Sequence, residues 1–376
     1  MNIRLIKTLD AVIGRLAVSL LTTPVRGSLP GSISSLLLIR PGGIGDAVLL
    51  APAIYSIKKK YPKIRITILA ERRNAGIFPL VPGVDEVLCY DRPREFYQAL
   101  RGRYDVVVDT EQWHRLSAVA ARLVRAPVKI GFDTNERRRM FTHPIPYSQD
   151  DCEAVSFAHL LMPFGVDAEI TEREAPFLSI SDVASRKASA LLDSLQDQQF
   201  VTLFPGAGIP ERRWGADRFR RVVEMLSAFG ISMVVVGGKE DRLQGMVIAD
   251  GGLGLNLTGL TSLEETAAVI QKSSLLVSGD SGVLHIAVGL GVPTVSLFGP
   301  GRAKKWAPQG KHHIVINKEL PCSPCTTFGT TPTCPIDVRC MRDITADEVV
   351  NDVTMLLTSV GARSSQCCKQ DWIEIN

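Results

Sequence analysis

Histidine is scarce in this sequence, six in 376 residues, and the few present fall into no order that hydrolytic chemistry uses. There is no HExxH helix and no Ser, His, Asp grouping. His114, His143 and His159 stand far apart, so metalloprotease and triad chemistry find no support. Long apolar runs are missing too. Near the start, Arg4, Lys7, Asp10 and Arg15 interrupt the hydrophobic residues, so neither a signal-peptide core nor a spanning helix of about 20 residues can be drawn. Charge of one sign is not concentrated either. The net charge of +4 is far from the dense basic stripes of a nucleic-acid binder, and no nucleic-acid partner is expected; it suits an anionic substrate or a membrane surface.

What is present is a large apolar fraction, 45%, in a chain longer than one hydrophobic core usually organises, which implies two domains. Hydrophobic runs alternate with helical patterns. Ser35–Ile39, Ile64–Ala70 and Asp105–Val108 read as strands, and Asp46–Lys60 as a helix. After a polar stretch, Ser179–Gln199, the pattern restarts: strand Phe200–Phe204, helix Ala216–Phe229, strand Ser232–Val236, helix Ser262–Gln271 and strand Leu275–Val277. Both halves are therefore expected to be doubly wound α/β units, an N-terminal one over 31–180 and a C-terminal one over 195–350. A helix and tail occupy 351–376; Thr345 is the expected cap and the chain after Gly361 is expected to be weakly ordered. Segment 1–30 is an amphipathic helix. Leu5, Leu9, Val12, Ile13, Leu16, Leu20 and Leu21 share one face, and Arg4, Lys7, Thr8, Arg15, Ser19 and Thr22 the other. Two placements fit it, the cytoplasmic membrane interface and a packed position on the protein itself.

Ligands of such sheets sit beyond the carboxyl ends of the strands, so the loops after Ile39, Phe204, Val236 and Val277 are expected to converge on one cleft. In the first loop Gly42, Gly43 and Gly45 allow a tight turn and close approach by a ligand, and Asp46 stands at the start of the helix. A dinucleotide site is the alternative, with Glu71 as its ribose acid, but the third glycine of that fingerprint falls on Val48 and Asp46 puts negative charge where a pyrophosphate docks. A carboxylate at a helix N-terminus suits a base that takes a proton from an acceptor hydroxyl, or is simply a cap. In the second unit, Ser278-Gly279-Asp280-Ser281-Gly282 leads into a helix bearing His285, where amides and a helix dipole can hold a diphosphate without metal. Gly206 and Gly208 form another flexible turn, followed by Arg212 and Arg213, whose guanidinium forks bind phosphate oxygens in pairs. Glu240 or Asp241 can accept from a ribose diol, or serve as helix N-terminal acids. Cys322, Cys325, Cys334 and Cys340 supply four thiols, enough for a structural zinc site, although their spacing is not that of a zinc ribbon and free thiols are the ordinary state in a reducing cytoplasm.

The segments GGIGDAVLLAPAI, DVVVDTEQWHRLSAVAARLVRAPVKIGFD, FPGAGIPERRWGADRF and LTGLTSLEETAAVIQKSSLLVSGDSGVLHIAVGLGVPTVSLFGP resemble glycosyltransferase family 9, the lipopolysaccharide heptosyltransferases. The resemblance runs from about Ser34 to Leu356. It implies a GT-B fold, two Rossmann-like domains facing across a cleft, and an inverting transfer from ADP-heptose to the Kdo- and heptose-bearing lipid A core, with no cofactor needed for catalysis, at the inner face of the cytoplasmic membrane. Asp46 matches the family's proposed general base. Asp280, Ser281 and Gly282 match its donor contacts, with His285 in the same motif; Glu240 falls at its ribose acid and Thr261 beside its adenine. The family's phosphate-binding lysine falls on Arg212, and Gly215 replaces the proline that follows. Since such acceptors carry carboxylates and phosphates, Arg72, Arg73, Arg137, Arg138 and Arg139 are candidates for holding them.

Overall fold

The computed structural model describes residues 10–166, 175–196 and 198–370. The chain divides into two compact units, Met1–Ser179 and Ile180–Asn376. Each contains a six-stranded, wholly parallel sheet. In the first, β1 (Ser35–Arg40), β2 (Arg65–Ala70), β3 (Glu86–Cys89), β4 (Val106–Asp109), β5 (Val128–Phe132) and β6 (His143–Ile145) stand in the order β3-β2-β1-β4-β5-β6. In the second, β7 (Phe200–Phe204), β8 (Ser232–Val235), β9 (Leu255–Asn256), β10 (Leu275–Gly279), β11 (Thr294–Phe298) and β12 (His313–Asn317) stand in the order β12-β11-β10-β7-β8-β9. Read from the other edge this is the same winding, so each unit reverses direction between its first and fourth strands. The central strands are apolar without alternation, as in SLLLIR and VVVD, because helices cover both faces and bury every side chain.

The expected helix over Asp46–Lys60 is two, Ile44–Leu49 and Ala51–Lys60. Pro52 is the cause: it has no N–H for the carbonyl four residues back, and its ring crowds that carbonyl. The polar stretch before β7 contains the helix Asp182–Leu192, capped by Ser181, whose Ala184, Ala188 and Leu192 pack on Phe200, Val234 and Val269. The last helix begins as expected, Thr345 and Glu348 capping each other, but it runs over Ala346–Gln370, past Gly361. One glycine is too weak a breaker among good helix formers to end it. Its Val349, Val350, Val353 and Leu356 belong to the core of the second unit, with Trp214 and Phe219.

Of the N-terminal amphipathic segment, Arg4, Leu5, Lys7, Thr8 and Leu9 lie outside the described residues. From Asp10 the chain makes a π-helical turn, Asp10–Gly14, before the helix Arg15–Leu20. That turn changes which side faces in. Val18 is buried, while Val12, Ile13, Leu16 and Leu20 of the expected apolar face are exposed. The anchor is instead Asp10, whose Oδ1 accepts the Arg115 and Leu116 amides at 2.7 Å and so caps the helix Arg115–Leu123.

Candidate functional site

Open α/β sheets receive ligands beside the point where strand order reverses. In the first unit that point lies between β1 and β4. β1 ends on Arg40, and the chain turns through Pro41, Gly42 and Gly43 into Ile44–Leu49. Gly42 has φ +104, and a Cβ there would stand 3.0 Å from Nη2 of Arg40 and 3.6 Å from Oδ2 of Asp46. Gly42→Ala is therefore expected to lose about 1–3 kcal/mol of stability, from backbone strain and this close approach. A urea titration measures it, and an unchanged midpoint would refute the account.

Asp46 is the third residue of its helix, its side chain 23% exposed and its Oδ2 3.6 Å from Arg40. Arg40 was not singled out from the sequence. It is completely buried, its Nη1 donates to the Thr110 carbonyl at 2.9 Å, and its Nη2 lies 3.4 Å from Glu111. Register explains the meeting: Ile39 pairs with Asp109, so the chain just beyond β4 runs beside Arg40. Burial pushes the Glu111 carboxyl up, but Arg40, His114 and Arg137 together hold it below the ordinary range. Arg137, a candidate for the acceptor, is instead wholly internal. It pairs with buried Asp109 at 2.6 Å and donates to the Glu111 and Phe132 carbonyls. Its neighbours Arg138 and Arg139 are exposed.

In the second unit the reversal lies between β7 and β10. β10 delivers Asp280, 5% exposed, and Ser281, whose hydroxyl caps Gly282–Gly289 by accepting the Leu284 amide. Arg212 reaches Asp280 with Nη1 at 2.9 Å, while its Nε is buried and without a hydrogen-bond partner among the described residues. Such a donor is costly to leave unmet and marks a place for an acceptor atom. Two residues on, Trp214 is buried against Phe219 and donates its indole N–H to the Ile344 carbonyl at 3.1 Å. Arg213 turns the other way, onto the Ala207 carbonyl. Gly301 covers Asp280 so closely that a Cβ there would meet its Oδ2 at 2.0 Å.

His285 is fully buried beside this pair. Burial, then the Arg212 charge, push its imidazole down to about 4, so it is neutral near pH 7. The sign is fixed: the unfolded chain binds this proton below about 6.5 and the folded one resists until about 4. Stability should accordingly fall as pH drops through that window. Urea midpoints of the wild type against His285→Gln check this; an equal loss in both would reject it.

The two open depressions within the units, one lined by Gln198, Phe200, Gly230 and Ser274 and one by Ser35, Arg65, Glu86 and Tyr104, lie at the opposite, N-terminal ends of the strands. The comparisons with known proteins show the family and the fold. The profile of glycosyltransferase family 9 (heptosyltransferase) matches residues 94–333. The chain belongs to glycosyltransferase family 9. It is similar to lipopolysaccharide heptosyltransferase 3 of Escherichia coli, 28% identical over 72% of this chain and 85% of that one. Two solved structures share its fold: a family 9 glycosyl transferase from Veillonella parvula (TM-score 0.75, 20% identity, covering 89% of this chain and 100% of that one) and E. coli ADP-heptose heptosyltransferase II (TM-score 0.70, 20% identity, covering 87% and 99%). The expected fold class, GT-B with two doubly wound domains, is thus the one found.

Within this family 9 glycosyltransferase the other candidate residues divide. Gly206 fits tightly, since a Cβ there would lie 2.7 Å from Asp241, and Gly208 is open. Asp241 is buried; its Oδ2 accepts the Gly238 amide and its Oδ1 has no partner among the described residues, while Glu240 is exposed. Asp241 thus packs between Gly206 of the loop after β7 and Gly237 of the loop after β8, while Glu240 faces solvent. Thr261 shares a hydrogen bond with Thr266 at 2.8 Å. Gly215, in the place of the family's proline, has φ +111, which a proline ring fixed near −65° cannot adopt. Arg72 pairs with Asp91, and Arg73 with Glu71. Glu71 also takes the Tyr90 hydroxyl and the box that caps the next helix, so it is no ribose acid.

The cysteine loop brings its four thiols near one another. Among the described residues no three or more His, Cys, Asp or Glu side chains are set to hold a metal ion. The four thiols feel one another, and burial, then Cys325, Cys334 and Cys322, push Cys340 up to about 11. Yet Cys340 turns its sulfur onto Gly299, and Cys334 accepts the Val338 amide at 3.2 Å. Cys322, Cys325, Cys334 and Cys340 are thus near neighbours, and all four are free thiols in this structure.

Proposed function

We propose that this glycosyltransferase moves a heptose from ADP-heptose onto the inner core of a lipopolysaccharide precursor, with inversion and without a catalytic metal. The single observation that carries this is chemical complementarity at the two reversal points. One unit offers a carboxylate, Asp46, held by a buried arginine; the other offers Arg212 with an unspent buried N–H above a helix N-terminus. The heptosyltransferase names of its relatives supply the sugar.

In this reading the acceptor is bound by the first domain and the donor by the second. Asp46 takes the proton from the acceptor hydroxyl as its oxygen attacks the anomeric carbon, and the bond from that carbon to the diphosphate breaks on the far face. The electron pair leaves on ADP, whose added charge is met by Arg212 and by the amides at Ser281 and Gly282. Glu240 accepts from the ribose diol and Thr261 borders the adenine. Of the candidate arginines, Arg138 and Arg139 are exposed and can meet acceptor phosphate or carboxylate, with Arg72 and Arg73 needing to leave their acids first. The lipid acceptor is reached from the cytoplasmic face; among the described residues no helix is long and apolar enough to cross a membrane.

The test is acceptor-dependent ADP release with lipid A carrying Kdo, or Kdo and heptose, assayed with EDTA present and with UDP- and GDP-sugars as competing donors. Heptosylated product of inverted anomeric configuration is expected. Preference for another nucleotide sugar, or loss of activity with EDTA, would overturn the donor and metal assignments respectively.

A further inference from the structure

We infer that Arg40 is a positioning residue for the transfer, holding the Asp46 carboxylate in one orientation through a buried guanidinium that contacts neither substrate. This rests on Asp46 being the base. Arg40 is immobilised on every side but one. Its Nε donates to the Pro41 carbonyl at 2.5 Å, its Nη1 to the Thr110 carbonyl at 2.9 Å, and the Phe157 ring lies 5.6 Å from its central carbon. The remaining corner, Nη2, stands between two carboxylates, Glu111 at 3.4 Å and Asp46 at 3.6 Å. Because the two carbonyls end neighbouring strands, the guanidinium is as rigid as the sheet itself.

Glu111 has a definite part in this. A buried arginine facing Asp46 alone would bind that carboxylate tightly and blunt its basicity; sharing Nη2 with a second, wholly buried carboxylate divides the attraction. Orientation is kept while the base stays usable. Gly42 completes the arrangement, since a Cβ there would approach Nη2 of Arg40 to 3.0 Å. The other titratable groups around the pair are His114 beside Glu111, Asp109 with Arg137 behind it, and Tyr147 with Glu153, the phenol being raised by burial, then Glu153, with smaller contributions from Asp46 and Glu111.

The experiment is the pH profile of kcat, with KM for donor and acceptor, for the full-length wild type, Arg40→Lys, Arg40→Met and Arg40→Met/Glu111→Gln. The double variant removes the buried Glu111 charge together with its cation, so it keeps the test alive if Arg40→Met alone does not fold. A cation about 4 Å from a carboxylate lowers its pKa by roughly 1–3 units. The acid limb of kcat is therefore expected to move up by about one unit or more in Arg40→Met and, with the Glu111 charge also gone, by a smaller step in the same direction in the double variant, and maximal kcat to fall about 10- to 100-fold in both from lost orientation. KM for ADP-heptose should stay within about twofold, and Arg40→Lys should lie between. A folded Met variant whose acid limb does not move would overturn the inference, because a residue that only supports the fold alters the active fraction and not the profile. Asp46→Asn, run alongside, separates the two readings. Wild-type turnover in Asp46→Asn removes the base itself; loss of turnover there, with unmoved profiles at Arg40, removes the positioning role alone.

Discussion

Asp46→Asn is expected to lower kcat about 10²- to 10⁴-fold, the range a positioned general base contributes. The substitution keeps the shape of the side chain and removes its ability to take a proton, so the loss should appear in kcat with little change in KM for the donor. Asp46 is partly exposed and sits in a six-residue helix, so losing its charge should cost little stability. The protein should melt within a few degrees of the wild type, since the buried Arg40 keeps its pairing with Glu111. Acceptor-dependent ADP release measures both constants. An asparagine variant that turns over at the wild-type rate would take Asp46 out of the chemistry.

Why Asp46 was visible in the sequence and Arg40 was not is a matter of distance along the chain. Asp46 follows three glycines at a strand-to-helix turn, and local residues alone say what such a carboxylate can do. Arg40 is the last residue of a strand, where a charge ordinarily means that the chain has reached solvent. Its meaning comes from Glu111, 71 positions away, and depends on β4 pairing with β1. The strands themselves were legible because covered parallel strands are apolar along their whole length. Arg137 failed for the reason that Arg40 did. In a run of three arginines nothing local says which one turns inward; the selection is made by Asp109, 28 residues earlier, at the end of β4. The apolar stripe near the N-terminus was read at a constant helical period, and the π turn at Asp10–Gly14 breaks that period. The thiols were counted rightly, but number and spacing do not say where sulfur atoms point.

Arg212→Met should lower turnover about 10²- to 10³-fold, the cost of removing one preorganised donor from charge that grows in the transition state. Two effects are mixed in that variant, because Arg212 also neutralises Asp280, whose side chain is 5% exposed. A buried acid stripped of its cation destabilises the fold by about 3–5 kcal/mol. Arg212→Met/Asp280→Asn removes both charges and should recover most of that stability, while turnover stays low because the diphosphate still lacks its cation. Arg212→Lys keeps the charge but not the fork: an ammonium can answer Asp280 or the phosphate, yet it cannot place a second N–H where Nε now waits. Its kcat should lie between wild type and Met, and its KM for the donor should rise. Melting curves and donor saturation on the three variants separate the two roles. If Arg212→Met, once stabilised by Asp280→Asn, turns over normally, the departing diphosphate is held by other groups; if the double variant is folded yet far slower than Asp280→Asn alone, the guanidinium's part in the transfer is independent of the ion pair that holds it.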